Sequence, residues 1–329
     1  MTQYEVVGIG NAVVDVISHA DDAFLGEMNI EKGIMQLIER DRAEDLYGAM
    51  NDRVQTPGGS VANTIAGIGA LGLPTAFIGR VNDDDLGKFY AQSMIDGGTD
   101  FVNAPVAGGD LPTSRSMIFV SPDGERSMNT YLGISTDLGP ADVPDAVAQS
   151  AKIMFLEGYL FDKDQGKQAF LEASRLTRAA GGKAGIAISD PFCVDRHRDD
   201  FLRMIADELD YVIGNEAEIR SLFQTDDLEE ALAKTSAICG MVVCTRSGDG
   251  VTLIRDGERV EVPVTKVTPV DATGAGDQFA AGFLFGMATG RDLETCGRMG
   301  HICAAEVISH VGPRPQTDMM TLFKEQGLV

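Results

Sequence analysis

The segment Asp271-Ala272-Thr273-Gly274-Ala275-Gly276-Asp277 combines small residues with a carboxylate in an order that can do chemistry. The eleven residues after it, QFAAGFLFGMA, are apolar nearly all round, which predicts a deeply buried helix over 278–287. The N-terminus of such a helix presents free N–H groups and the positive end of the helix dipole, and so attracts anions. Gly274 and Gly276 would let an anion approach the backbone closely. A carboxylate at that place repels a resting phosphate. It makes chemical sense if it takes the proton of an attacking hydroxyl while neighbouring amides stabilise the developing charge. Asp277 is therefore the candidate general base, and the backbone of Gly274, Ala275 and Gly276 the candidate anion hole. Read alone, the same aspartate could simply cap a buried helix.

These residues need a scaffold. Short β-branched runs alternate with helical stretches: strands at Tyr4–Gly10, Thr75–Ile78, Lys152–Leu156, Ala184–Ser189, Tyr211–Ile213 and Met241–Thr245, and helices at Ser60–Leu71, Gln165–Ala180, Arg198–Leu209, Glu216–Phe223 and Glu294–Ser309. This rhythm implies a mostly parallel sheet covered on both faces, with ligands at the carboxyl ends of its strands. Ala12–Ile38 and Thr113–Tyr131 break the rhythm and read as strand-like, the second with a hairpin turn at Pro122-Asp123-Gly124. They predict a small β-element outside the main sheet, which could act as a lid. We expect one domain over 1–329, with the lid drawn from about 12–38 and 97–131.

With 329 residues and 44% hydrophobic content, the chain can bury a large core. A formal net charge of −23 disfavours nucleic-acid binding. Five cysteines without a CxxC pair suit reduced thiols in a cytoplasm. The N-terminus MTQYEVVGIG has no signal-peptide pattern, and no run of about 18 apolar residues marks a membrane span. A Walker A pattern is absent. Gly8-Ile9-Gly10 lacks the third glycine of a dinucleotide fingerprint, Val13 standing in its place, which argues against an oxidoreductase.

The stretch DATGAGDQFAAGF resembles the C-terminal signature of the PfkB (ribokinase-like) carbohydrate kinase family. The resemblance implies a ribokinase-like α/β three-layer sandwich with a small β-sheet lid. It implies ATP-dependent phosphoryl transfer with Asp277 as base and the Gly274-Ala275-Gly276 backbone as anion hole. Gly8–Asp15 is similar to the family's first-strand motif, which assigns sugar hydroxyls to Asn11 and Asp15. Pro57–Asn63 resembles its glycine-glycine substrate signature, implying contacts from Gly58, Gly59 and Asn63. Asn215–Glu218 matches an NxxE element that orders Mg²⁺ and phosphates, with Glu218 acting on the ion through water; read alone, Asn215 is a helix cap. Thr245–Gly250 resembles the nucleotide loop and implies ATP contacts at Thr245, Gly248 and Gly250, although Ser247 stands where relatives often carry glycine. His301 reads as a packing residue near the adenine of ATP. Family sites for a monovalent cation make Asp271 a candidate neighbour of K⁺.

The chain looks most similar to the adenosine kinase branch, through GNAVVD, DDAFLGEMNIEKG, IGNEAEI and GHICAAEVI. Arg126 matches an arginine that swings toward phosphate there. Leu132, Tyr159 and Leu160 are candidates for lining a base pocket. Two departures stand out. Tyr159-Leu160 replaces an aromatic pair, and Met35 stands where a polar base contact is expected. The implied reaction is phosphorylation of a primary hydroxyl of a ribose-containing substrate, adenosine at its 5′-OH first. The alternative is a free sugar: ribose, fructose or a keto-deoxy sugar acid. A nucleotide-responsive binding protein without turnover is a third reading. We expect a cytoplasmic monomer or homodimer.

Overall fold

A computed structural model describes residues 3–329, so Met1 and Thr2 of the N-terminal segment lie outside it. In chain order the strands are β1 (Tyr4–Ile9), β2 (Val13–His19), β3 (Met35–Leu37), β4 (Val54–Gly58), β5 (Thr75–Ile78), β6 (Thr99–Phe101), β7 (Ser114–Val120), β8 (Arg126–Tyr131), β9 (Ala151–Glu157), β10 (Lys183–Ala187), β11 (Tyr211–Asn215), β12 (Met241–Thr245), β13 (Val251–Arg255) and β14 (Glu258–Val262). The helices are α1 (Asp22–Glu27), α2 (Arg40–Ala49), α3 (Ser60–Ala70), α4 (Asp85–Asp96), α5 (Asp145–Ser150), α6 (Asp164–Ala179), α7 (Pro191–Glu208), α8 (Glu216–Phe223), α9 (Leu228–Ile238), α10 (Ala275–Ala288), α11 (Leu293–Val307) and α12 (Met319–Glu325).

Nine strands form one sheet in the order β14-β13-β12-β11-β10-β9-β1-β5-β6. Seven of them are parallel, and the β12–β13–β14 edge is antiparallel. Strand side chains alternate between two cores, as the pleat requires. Val6, Phe155, Tyr211 and Val243 pack with α3, α10 and α11 on one face. Val7, Met154, Val212 and Val242 pack with α6, α7 and α9 on the other. The near-continuous apolar runs of the central strands follow from burial on both faces. The expected three-layer α/β architecture with a mostly parallel sheet is therefore present.

The second sheet has the order β3-β8-β7-β2-β4. Its extent differs from the sequence expectation in three ways. β6, at the start of the 97–131 interval, belongs to the edge of the large sheet. β4 joins the small sheet from outside both intervals, because Val54–Gly58 pairs antiparallel with β2. The segment 22–27 is a helix, with the Asp21 side chain accepting from Phe24 N–H. Among the described residues no helix is long and apolar enough to cross a membrane.

Candidate active site

Asp277 lies in the first turn of α10, whose N-cap Gly274 has φ +80°. A Cβ on Gly274 would come within 2.7 Å of Pro313 Cα, so only glycine permits both the left-handed turn and the close approach of the C-terminal segment. The Ala275 amide donates to Ala272 O at 3.2 Å, and the Gln278 amide to Gly274 O at 2.8 Å. Among the described residues the amides of Gly276 and Asp277 have no acceptor. Of the amides expected to form an anion hole, that of Ala275 is engaged within the turn, while the neighbouring amide of Asp277 is unengaged among the described residues. A Cβ at Gly276 would meet nothing within 4 Å, so the outer side of this first turn is open.

The carboxylate of Asp277 is held by the first turn of α3. Ser60 Oγ donates to Oδ1 at 2.7 Å, Asn63 Nδ2 donates to Oδ2 at 3.1 Å, and Thr64 Oγ1 donates to the Asp277 carbonyl at 3.0 Å. Positions 60, 63 and 64 share one helix face, so a single element supplies all three. Burial pushes the Asp277 carboxyl up to about 6, partly offset by Ser60, Asn63 and the charge of Arg314. A carboxyl raised toward neutrality in this way is one that can exchange a proton near neutral pH. Asn63, expected to contact substrate, lines the cleft while one Nδ2 hydrogen goes to Asp277 and its Oδ1 accepts from Arg314 Nε at 3.2 Å.

The adjoining floor is built on a residue the sequence reading did not select, Glu157 at the end of β9. Its Oε1 accepts from Asn11 N (3.1 Å) and Nδ2 (2.7 Å), and its Oε2 from Val61 N (3.0 Å). It is 1% exposed, and burial raises it to about 7. Asn11 Nδ2 and N both point at Glu157, and among the described residues Asn11 Oδ1 is buried without a partner in a residue that lines the cleft. It is placed to receive a ligand donor. Asp15 stands beside it, raised by burial to about 7, with Arg126, Arg314 and Asp277 acting on it through charge. Gly58 leaves room for that carboxylate, which would lie 2.7 Å from a Cβ. Gly59, at φ +98°, passes so near the Asn11 carbonyl that a Cβ would sit at 2.3 Å.

Asn11, Asp15, Gly59, Asn63, Glu157 and Asp277 all line one cleft of about 600 Å³. The same cleft is also lined by Met35, Leu37, Met128, Leu132, Tyr159 and Phe192, with Asp162, Asp190 and Arg196 among its charged members. Phe192 is 76% exposed and follows Pro191 at the start of α7. It supplies an aromatic face that the sequence reading looked for at 159–160. Leu160 is corrected: it is buried among the side chains of the α6–α7 layer and does not line the cleft.

The nucleotide candidates lie at the neighbouring strand ends, outside this cleft. Asn215 and Thr245 are register partners at the carboxyl ends of β11 and β12. Asn215 and Glu218 form a reciprocal capping box: Asn215 Oδ1 accepts from Glu218 N–H at 3.0 Å, while the Glu218 carboxylate accepts from Asn215 N at 2.9 Å and Nδ2 at 2.6 Å. Burial raises Glu218 to about 7. Among the described residues no group of three or more His, Cys, Asp or Glu could hold a metal directly. The donor set fits a hydrated ion ordered at second hand. Ser247 adopts the left-handed region at φ +49°, so the loop keeps its turn without glycine there. Gly250, at φ +91°, passes under the Val262 carbonyl, where a Cβ would lie at 2.3 Å, and Gly248 faces Lys266. His301 packs on Phe279, ring centroids 5.4 Å apart, and burial lowers it to about 4.

Arg126 and Asp271 meet each other. Arg126 Nη1 donates to Asp271 Oδ2 at 2.6 Å, tying β8 of the small sheet to the loop before α10. Asp271 also accepts from Thr273 N, Thr273 Oγ1 and Gly312 N. The arginine expected to reach toward phosphate is thus engaged in an ion pair, and the carboxylate expected beside a monovalent cation already has a guanidinium against it.

The chain matches the pfkB family carbohydrate kinase pattern over residues 23–319. The structure of a probable sugar kinase from Rhizobium etli superposes with a TM-score of 0.91 at 43% identity, covering 100% of both chains. That of adenosine kinase from Sinorhizobium meliloti gives 0.90 at 43% identity, covering 99% of this chain and 100% of the other. A 5-dehydro-2-deoxygluconokinase from Bacillus velezensis is 27% identical over 263 residues, 77% of this chain and 79% of that protein. This chain belongs to the pfkB carbohydrate kinase family. It is a phosphotransferase acting on an alcohol group of a sugar or nucleoside.

Proposed function

We propose that this pfkB kinase transfers the γ-phosphoryl group of ATP to the 5′-hydroxyl of a purine nucleoside, adenosine being the first candidate. The observation that carries the reading is the mixed lining of one cleft: the polar groups of Asn11, Asp15 and Asp277 together with the apolar and aromatic side chains of Leu132, Tyr159 and Phe192. A free sugar has little apolar surface to bury against such side chains, whereas a purine gains from apolar and aromatic contact. The likeness to the Sinorhizobium meliloti adenosine kinase supports the same choice. A sugar acid would bring a further carboxylate to a floor that already holds Asp15, Glu157 and Asp277.

Asp15 and the free Oδ1 of Asn11 accept ribose hydroxyl protons and orient the sugar. Asp277 takes the 5′-hydroxyl proton as the new O–P bond forms and the bond to the ADP oxygen breaks. The amides of Gly276 and Asp277 face the equatorial oxygens of the moving phosphoryl group. Mg²⁺, when bound with ATP, neutralises phosphate charge, and Asn215 and Glu218 would order its water shell. Thr245, Gly248 and Gly250 shape the loop along which the nucleotide lies.

The test is a competition. Equimolar adenosine, ribose, fructose and 5-dehydro-2-deoxygluconate are offered with MgATP, and the phosphorylated products are resolved by mass. AMP as the dominant product is expected. A phosphorylated free sugar in excess of AMP would replace this reading with the sugar-kinase one.

A further inference from the structure

Arg314 plays no part in the reaction as described above, yet it bonds to Asn63, which lines the cleft. It follows Pro313, which lines the cleft, and its recorded partners are neutral: Nε donates to Asn63 Oδ1 at 3.2 Å, and Nη2 contacts Met94 Sδ at 3.4 Å. A guanidinium largely removed from water without a bound carboxylate is costly unless its charge serves a purpose. Its contact settles an ambiguity in Asn63. An amide side chain can be turned either way, and only one orientation donates to Asp277. Arg314 has no acceptor to offer, so Asn63 must present Oδ1 to it and Nδ2 to Asp277 Oδ2.

We propose that Arg314 is a positioning residue for phosphoryl transfer, acting through Asn63 to keep the Asp277 carboxylate aimed at the acceptor hydroxyl and ionised. No other proton or electron movement is involved: the hydroxyl proton still goes to Asp277. This rests on the reading of Asp277 as the base. The charged and titratable groups facing Asp277 are Arg314, Asp15 on β2, Glu157 on β9 and Tyr159. With the three carboxylates all raised, the acid limb of the activity profile belongs to the coupled set. Loss of the Arg314 charge moves that limb upward, because the cation favours the ionised form of both Asp15 and Asp277.

The experiment is a double-mutant cycle with Arg314→Gln and Asn63→Ala, read as kcat and KM for both substrates from pH 5.5 to 9. We expect Arg314→Gln to lower kcat about tenfold at pH 7, with KM for ATP unchanged, and the loss to shrink as pH rises. In the Asn63→Ala background the same change lowers kcat by no more than about threefold, since its intermediary is already gone. Multiplicative losses, or a loss independent of pH, would overturn the proposal and leave a merely structural arginine. If Arg314→Gln does not fold, Arg314→Lys decides. Its charge persists while the planar contact to Asn63 is lost, so kcat falls at least about threefold with little movement of the acid limb. Unchanged kcat overturns the proposal. Absence of kinase activity in the wild-type protein on every acceptor would instead remove the underlying reading of Asp277.

Discussion

The acceptor half of the site and the nucleotide half are built differently. Around Asp277 the contacts join buried and partly buried groups from distant parts of the chain: Ser60 and Asn63 on α3, Glu157 on β9, Asn11 after β1 and Arg314 near the C-terminus. At the ends of β11 and β12 they are local. Asn215 and Glu218 satisfy one another within a single turn, and the 245–250 loop is shaped by backbone conformation at Ser247 and Gly250. Chemistry at the hydroxyl needs groups held in fixed geometry in a dry setting, where each unsatisfied polar atom is expensive. A nucleotide can be held largely by backbone and a hydrated ion. The acceptor half should therefore respond to single substitutions in stability and turnover together, and the nucleotide half mainly in nucleotide affinity.

The largest effect on stability is expected at Glu157. Glu157→Ala strands three buried donors and opens a cavity, so stability should fall by about 3–5 kcal/mol in urea unfolding, with turnover down at least about 10²-fold. Glu157→Gln keeps the volume but turns a donor toward Val61 N–H, and should cost about 1–3 kcal/mol. A change under about 0.5 kcal/mol in both variants would show that the acceptor floor is not the interdependent unit described. The smaller effect belongs to the other half. Asn215→Ala removes one cap, costing about 1 kcal/mol, and should raise KM for ATP several-fold with kcat within about threefold of wild type. A loss in kcat larger than that in KM would erase the distinction between the halves.

The sequence disclosed the local half of this molecule better than the distant half. The α10 signature, the capping pair Asn215/Glu218 and the central strands are contiguous patterns, so period and motif suffice to find them. Glu157 was visible only as the last residue of an apolar run, AKIMFLE, where a terminal glutamate ordinarily marks a solvated strand end. The bonds from Ser60 and Asn63 to Asp277 span more than 200 residues, and Arg314 lies outside every motif. No local pattern announces them. Other misses had signals. Asp256-Gly257 between VTLIR and ERVEV is a hairpin turn in sequence, and Asp21 ahead of an apolar stretch is a helix cap. β4 gave no such cue, because VQTPG carries a proline and becomes a strand only through pairing with β2.

The central claim is that Asp277 takes the proton of the acceptor hydroxyl, and the direct measurement is Asp277→Asn, with turnover and adenosine affinity determined on the same folded preparation. The substitution keeps the shape of the side chain and removes its basicity. We predict adenosine binding within a few-fold of wild type and a turnover lower by about 10²–10⁴. Turnover within about threefold of wild type would contradict the account.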